Sequence, residues 1–268
     1  MSSKLDKDDD DILKYVPKLK KQISSETFEK TKSEISSLKG STFMLSLKKY
    51  CKNLPTSTIS PVLSMKKHRI YITDCVGASN EKELKLLGVT HAINLSGISK
   101  HAVSGIEYMS ISETIPDVPN YPIVETVGRK AVDFISNAFT KSDENVVLVY
   151  CAMGISRSAT VVLQYLLSTG MTMKEAWTHL RSCRNFVNPN LGFWNQLSDL
   201  EMKTTGRRTI STRDYVVSEL LGFWPSIGPD FARVVADRVL KVPFKDMITG
   251  TFLDAAVKSL EMIQDDKK

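Results

Sequence analysis

The sequence predicts an α/β domain with a central, mainly parallel sheet flanked by helices, and helical N- and C-terminal extensions. Three observations predict it. HRIYIT (68–73) and VTHAINLS (89–96) read as short buried strands. Stretches with apolar residues at helical spacing separate such segments, and strands alternating with helices imply a parallel sheet with helical crossovers. Val146, Val147, Leu148 and Val149 form an unbroken apolar run, as expected of a central strand covered on both faces.

The elements follow in order. Residues 1–56 read as an N-terminal extension, partly helical or disordered. An acidic run at Asp8–Asp11 precedes lysine-rich sequence in which Phe28, Ile35 and Leu38 could line one helix face. The main domain is expected over 57–204. Glu81 to Leu87 reads as a helix ended at Gly88, and IEYMSIS (106–112) as a third strand. Ile123, Val127, Ala131, Phe134 and Ala138 recur at helical spacing ahead of the central strand. Three helices should follow it. The first runs from Ser158 to Ser168 and is apolar nearly all round. The second opens with a Thr172/Glu175 capping box. The third, after Pro189-Asn190, buries Phe193, Trp194, Leu197 and Leu200. Residues 205–268 form a C-terminal extension with an amphipathic helix expected at about 229 to 241.

Composition narrows the function. Of the 268 residues, 42% are hydrophobic and 25% charged, the balance of a globular domain with a sizeable core. The net charge of +6 suits an anionic substrate, but a solvated surface with a lysine excess is the simpler reading. No arginine-rich tract points to nucleic acid. The four cysteines, Cys51, Cys75, Cys151 and Cys183, have no metal-ligand spacing, so neither a metal nor another cofactor is expected. The acidic start is unlike a signal peptide, and no apolar run is long enough to span a membrane. A reducing compartment is therefore expected, the cytoplasm with the nucleus as an alternative.

The chemistry centres on VVLVYCAMGISRSAT. A buried strand ends at Tyr150. A turn of small residues follows, then Arg157 and a helix start. Strand, loop and helix N-terminus make an anion cradle from the backbone N–H groups of Ala152, Met153, Gly154, Ile155, Ser156 and Arg157. Gly154 permits a backbone conformation closed to other residues. Arg157 adds a planar fork suited to a phosphoryl group. Cys151 at the base of that cradle sits in a positive field that favours the thiolate, a nucleophile for phosphorus. Ser158 can donate to the sulfur as it leaves. A buried structural cysteine is the competing reading. Cleaving a phosphate ester also needs a proton on the leaving oxygen. Asp117, between Pro116 and Pro119, is the candidate acid, with a simple turn aspartate as the competing reading; Glu113 is nearby but sits closer to the strand end.

YCAMGISRSAT resembles the HCxxGxSRS signature of the dual-specificity protein phosphatases, within the cysteine-based protein tyrosine phosphatase superfamily. The resemblance extends over about 57–204. DxPxxxI at Asp117–Ile123 is similar to the family's general-acid loop, and VNPNLGFWNQLSDLE (187–201) to its closing helix. The small atypical members, which lack a kinase-docking domain, match best. The resemblance implies a cysteine-phosphatase fold and phosphoprotein substrates. It implies a catalytic set of Cys151, Arg157 and Asp117, assisted by Ser158. Ala152, Met153, Ile155 and Ser156 are uncharged, which favours a protein monoester bearing one phosphate over phosphoinositides or RNA 5′-triphosphates. The family has histidine before its nucleophile where this chain has Tyr150. A phenol cannot carry positive charge near neutral pH. The alternative is therefore a weak or dead pseudophosphatase that binds phosphoproteins as a scaffold. Partners of the extensions are unspecified.

Overall fold

The computed structural model describes residues 59–64, 68–97, 102–112, 114–223 and 228–241. The predicted extension over 1–56, Glu113, Cys51 and the end of the C-terminal extension lie outside the described residues.

Five strands form one sheet in the order β1-β2-β5-β3-β4. They are β1 (Ser60–Ser64), β2 (Arg69–Thr73), β3 (His91–Asn94), β4 (Glu107–Tyr108) and β5 (Val146–Tyr150). β1 is antiparallel to β2, and the other pairings are parallel. Central β5 pairs residue for residue with β2 from Arg69↔Val146 to Thr73↔Tyr150, and all five of its residues are buried. The unbroken apolar run thus lies where a strand covered on both faces must lie. The sheet is mainly parallel, as expected. β4 is shorter than the predicted 106–112, because beyond Met109, whose N–H still reaches Ala92 O, the chain leaves the ladder.

Local signals set the helix ends. After the single turn α1 (Cys75–Ala78), α2 (Glu81–Leu87) is capped by Asn80 and ends at Gly88, whose φ of 70° is the left-handed value that favours glycine. A π-helical turn, Val124–Gly128, runs into α3 (Arg129–Lys141). This widening leaves the Val124 carbonyl to accept from Gln164 Nε2 at 3.0 Å. α4 (Arg157–Ser168) follows the central strand, and every residue from Ser158 to Leu166 is buried. α5 (Met173–Cys183) starts with the predicted Thr172/Glu175 capping box. α6 (Leu191–Thr205) is capped by Asn190 and buries Phe193, Trp194 and Leu197. The expected fourth core residue, Leu200, is only half-buried. Its neighbour Glu201 is fully buried instead, accepting from Met173 N at 2.7 Å and from Thr209 N and Oγ1 at 2.9 and 2.6 Å. Those three donors replace the water that the carboxylate gives up.

Two further helices, α7 (Thr212–Phe223) and α8 (Gly228–Val239), carry the chain beyond residue 212. Arg213–Lys241 belongs to a second compact unit, distinct from the one formed by the sheet and α1–α6. α8 matches the predicted amphipathic helix, burying Ala232, Val235, Ala236 and Val239, while α7 was not anticipated. Within this unit the Arg213 guanidinium meets both carboxylate oxygens of Asp237. Among the described residues no helix is long and apolar enough to cross a membrane.

Candidate active site

β5 delivers the chain to Cys151, and residues Ala152–Ser156 make the loop that leads into α4. Donors from three directions hold the loop carbonyls. Cys75 N donates to Ala152 O at 3.3 Å, Arg184 Nε to Gly154 O at 2.9 Å and Asn188 N to Ile155 O at 2.9 Å. A trans peptide sets its N–H opposite its C=O. With the carbonyls drawn outward, the N–H groups of Met153, Ile155 and Ser156 turn to the other side of the loop. Gly154 makes this path feasible, as the sequence implied. Its φ is 65°, and a Cβ there would lie 2.6 Å from both Thr73 O and Arg184 Nη2.

The Cys151 thiol is buried and unoxidised, with Sγ 3.2 Å from Ser158 Oγ. Arg157 begins α4. Its Nη1 donates to Leu95 O at 2.8 Å and Ile115 O at 3.0 Å, which fixes one edge of the guanidinium. Its buried Nε donates to no protein acceptor and lies 3.7 Å from Asp117 Oδ2. A guanidinium fixed along one edge and unused at Nε is arranged to receive an oxyanion.

Asp117 reaches this loop from the segment between β4 and the π-helical turn. Its Oδ1 accepts from Ser156 Oγ at 2.7 Å and from Asn190 Nδ2 at 2.8 Å. The structure therefore brings Cys151, Ser156, Arg157, Ser158 and Asp117 into one neighbourhood, as the sequence reading required. Three participants escaped that reading. Ser156 was included only for its backbone N–H, yet its side chain holds Asp117. Asn190 was noticed only as half of a Pro-Asn pair, although its helix-cap position was a usable signal. Arg184, 3% exposed and stacked 4.1 Å over Phe186, supports the loop from below, and no spacing marks it out.

Tyr150 gives the loop nothing polar. Its side chain packs among Leu84, Ala92, Val146 and Leu148 on one face of the sheet. Its hydroxyl is buried without a hydrogen-bond partner. Burial, with Tyr108 and Cys75 nearby, pushes the phenol's pKa far above its ordinary value, so it stays neutral.

A cysteine-bearing loop between a central parallel strand and a helix N-terminus, with an arginine at its end and a carboxylate against it, is the arrangement of the cysteine-based phosphatases. Comparison with known proteins narrows the class. Residues 70–203 match the family model for the dual specificity phosphatase catalytic domain. Dual specificity protein phosphatase 18 of Homo sapiens is 32% identical over 160 residues, covering 59% of this chain and 80% of that protein. Dual specificity protein phosphatase 1 of Arabidopsis thaliana is 34% identical over 151 residues, covering 52% and 69%. Among solved structures, a mouse protein of the dual specificity phosphatase type, complexed with zinc tungstate, superimposes with a TM-score of 0.50. That alignment has 24% identity and covers 57% of this chain and 92% of the other, a likeness of fold. The chain belongs to the dual-specificity protein phosphatase family, phosphoric monoester hydrolases of the cysteine-based protein tyrosine phosphatase superfamily.

Proposed function

We propose that the chain hydrolyses phosphotyrosine and phosphoserine/phosphothreonine monoesters of proteins through a cysteinyl-phosphate intermediate. One observation carries the reading. The Cys151 thiol lies 3.2 Å from a hydroxyl that can support it as a leaving group, in a loop whose arginine faces a carboxylate at 3.7 Å. In the first step Cys151 Sγ attacks phosphorus, and the P–O bond to the substrate breaks as Asp117 gives its proton to the departing oxygen. The loop N–H groups and the Nε edge of Arg157 hold the three equatorial oxygens. In the second step water attacks phosphorus and passes a proton to Asp117, while the S–P bond breaks and Ser158 Oγ donates to the thiolate. No step requires a metal or a redox partner. Residues 57–204 would form the phosphatase domain between two extensions, working in the cytoplasm or nucleus, where thiols stay reduced.

The test of dual specificity is release of phosphate by the purified chain from matched phosphotyrosine, phosphothreonine and phosphoserine peptides. Turnover of both classes is expected. Turnover of phosphotyrosine alone would restrict the activity, and turnover of none would favour a different reading.

That different reading is a phosphate-binding scaffold, and Tyr150 is the observation favouring it, since it supplies neither charge nor hydrogen bond to the loop. Replacing it is decisive. Tyr150→His puts at this position the residue type of the family signature, which can carry positive charge near neutral pH. The pH at which iodoacetate inactivates Cys151 should fall, and neutral-pH turnover should rise from a measurable wild-type value. Turnover only in Tyr150→His, with none in the wild type, would establish the scaffold reading. An unchanged alkylation profile in a folded variant would make the tyrosine a neutral replacement.

A further inference from the structure

We infer that Asn190 is a positioning residue for the proton-donating carboxylate, and that Asp117 Oδ2 is the oxygen that carries the proton. The inference rests on the acid role proposed above for Asp117.

Asn190 is fully buried, and each of its polar atoms has a hydrogen-bond partner. Its Oδ1 accepts from Phe193 N at 3.0 Å and so caps α6. Its Nδ2 donates to Asp117 Oδ1 at 2.8 Å. Its backbone N–H donates at 3.1 Å to Ser156 Oγ, which in turn donates to the same Asp117 oxygen at 2.7 Å. One residue therefore orients the carboxylate twice, directly and through the catalytic loop.

Both donors converge on Oδ1. An oxygen accepting two hydrogen bonds keeps its lone pairs engaged, so a proton on this carboxyl belongs on the other oxygen. That oxygen is Oδ2, which lies 3.7 Å from Arg157 Nε, the edge left for an oxyanion. The proton thus sits on the side where the leaving oxygen would be.

Helix α6 also holds the backbone of the acid loop. A Cβ on Gly192 would come within 2.1 Å of Pro119 O and 2.4 Å of Pro119 Cα, so only glycine lets the first turn of α6 press against the loop two residues past Asp117. Asn190 and Gly192 together form a seat for the acid. Neither is required to touch the substrate.

The experiment compares phenyl phosphate, whose poor leaving group needs the proton, with p-nitrophenyl phosphate, whose good one needs it less. The full chain is assayed as wild type, Asp117→Asn, Asn190→Ser and Gly192→Ala, with vanadate affinity measured alongside. Serine at 190 can still cap the helix but is too short to reach Asp117. For Asp117→Asn, kcat on phenyl phosphate should fall about 10²-fold or more, the usual contribution of a general acid, with a smaller fall on p-nitrophenyl phosphate. Asn190→Ser should reproduce that selectivity at about tenfold or more, as expected for a misplaced group, with KM and vanadate affinity unchanged. Gly192→Ala should do the same. A purely structural role would lower both substrates equally. Equal losses, or none, in a folded Asn190→Ser therefore overturn the inference while selective Asp117→Asn leaves the acid assignment standing. An unselective Asp117→Asn removes the acid assignment and the inference together. If Asn190→Ser does not fold, Asn190→Asp keeps size and cap but replaces the donor with a like charge. It must then show the same selective loss, and equal losses would overturn the inference.

Discussion

Replacing Cys151 with serine should abolish turnover on every phosphate ester, a loss of about 10⁴-fold or more, as expected when a covalent nucleophile is removed. The hydroxyl differs from the thiol by one atom and can keep the contact with Ser158 Oγ, now 3.2 Å from sulfur. Binding should survive. Outward-held carbonyls at Ala152, Gly154 and Ile155 fix the cradle, and none of their donors involves the Cys151 side chain. Isothermal titration with tungstate should therefore return the wild-type affinity for Cys151→Ser. Retained turnover would remove Cys151 as the nucleophile. Lost tungstate binding would mean that the thiol holds the loop together.

Arg157→Lys should be the second severe loss, and it should appear in binding as well as in rate. The guanidinium anchors one edge on Leu95 O and Ile115 O and leaves Nε for the ligand. A lysine ammonium is a point charge that cannot serve both edges at once. If it keeps the two carbonyls it loses the oxyanion, and if it reaches the oxyanion it leaves buried carbonyls unpaired. Each lost charge-assisted hydrogen bond is worth about 1.5–3 kcal/mol, so tungstate affinity should fall roughly 10- to 100-fold. Turnover of p-nitrophenyl phosphate should fall further, by about 10²–10³-fold, because the transition state spreads more charge over the oxygens that the fork holds. Wild-type affinity in Arg157→Lys would take the arginine out of the site.

Much of this was legible in the sequence because its cause is local. The β5 run announces a central strand by composition, and the Thr172/Glu175 box and Gly88 announce helix ends by stereochemistry. Cys151, Arg157 and Ser158 share one loop and helix start, so neighbours in sequence are neighbours in the site. Strand β1 was missed because it is a short edge strand carrying Pro61 and an irregular register between Pro61 and Leu63, a pattern that reads as a loop. Helix α7 was missed because apolar and polar residues are spread around TRDYVVSELLGF without a clear stripe. The contacts that seat Asp117 were hidden for another reason. Ser156 lies 39 residues away and Asn190 lies 73 away, and only the tertiary fold joins them. The same holds for Tyr150. Its departure from the family pattern was visible in sequence, but its unpartnered burial in the sheet was not.

The central claim is a covalent bond between phosphorus and the Cys151 sulfur. Its most direct test is an acid-quenched reaction of the wild-type chain with a phosphotyrosine peptide, followed by peptide mass spectrometry of the Tyr150–Arg157 segment. The account predicts a phosphate on Cys151 that appears within the first turnover, decays as phosphate is released and is absent from Cys151→Ser. Steady hydrolysis with no phosphate ever trapped on Cys151, or phosphate trapped on another residue, would contradict it.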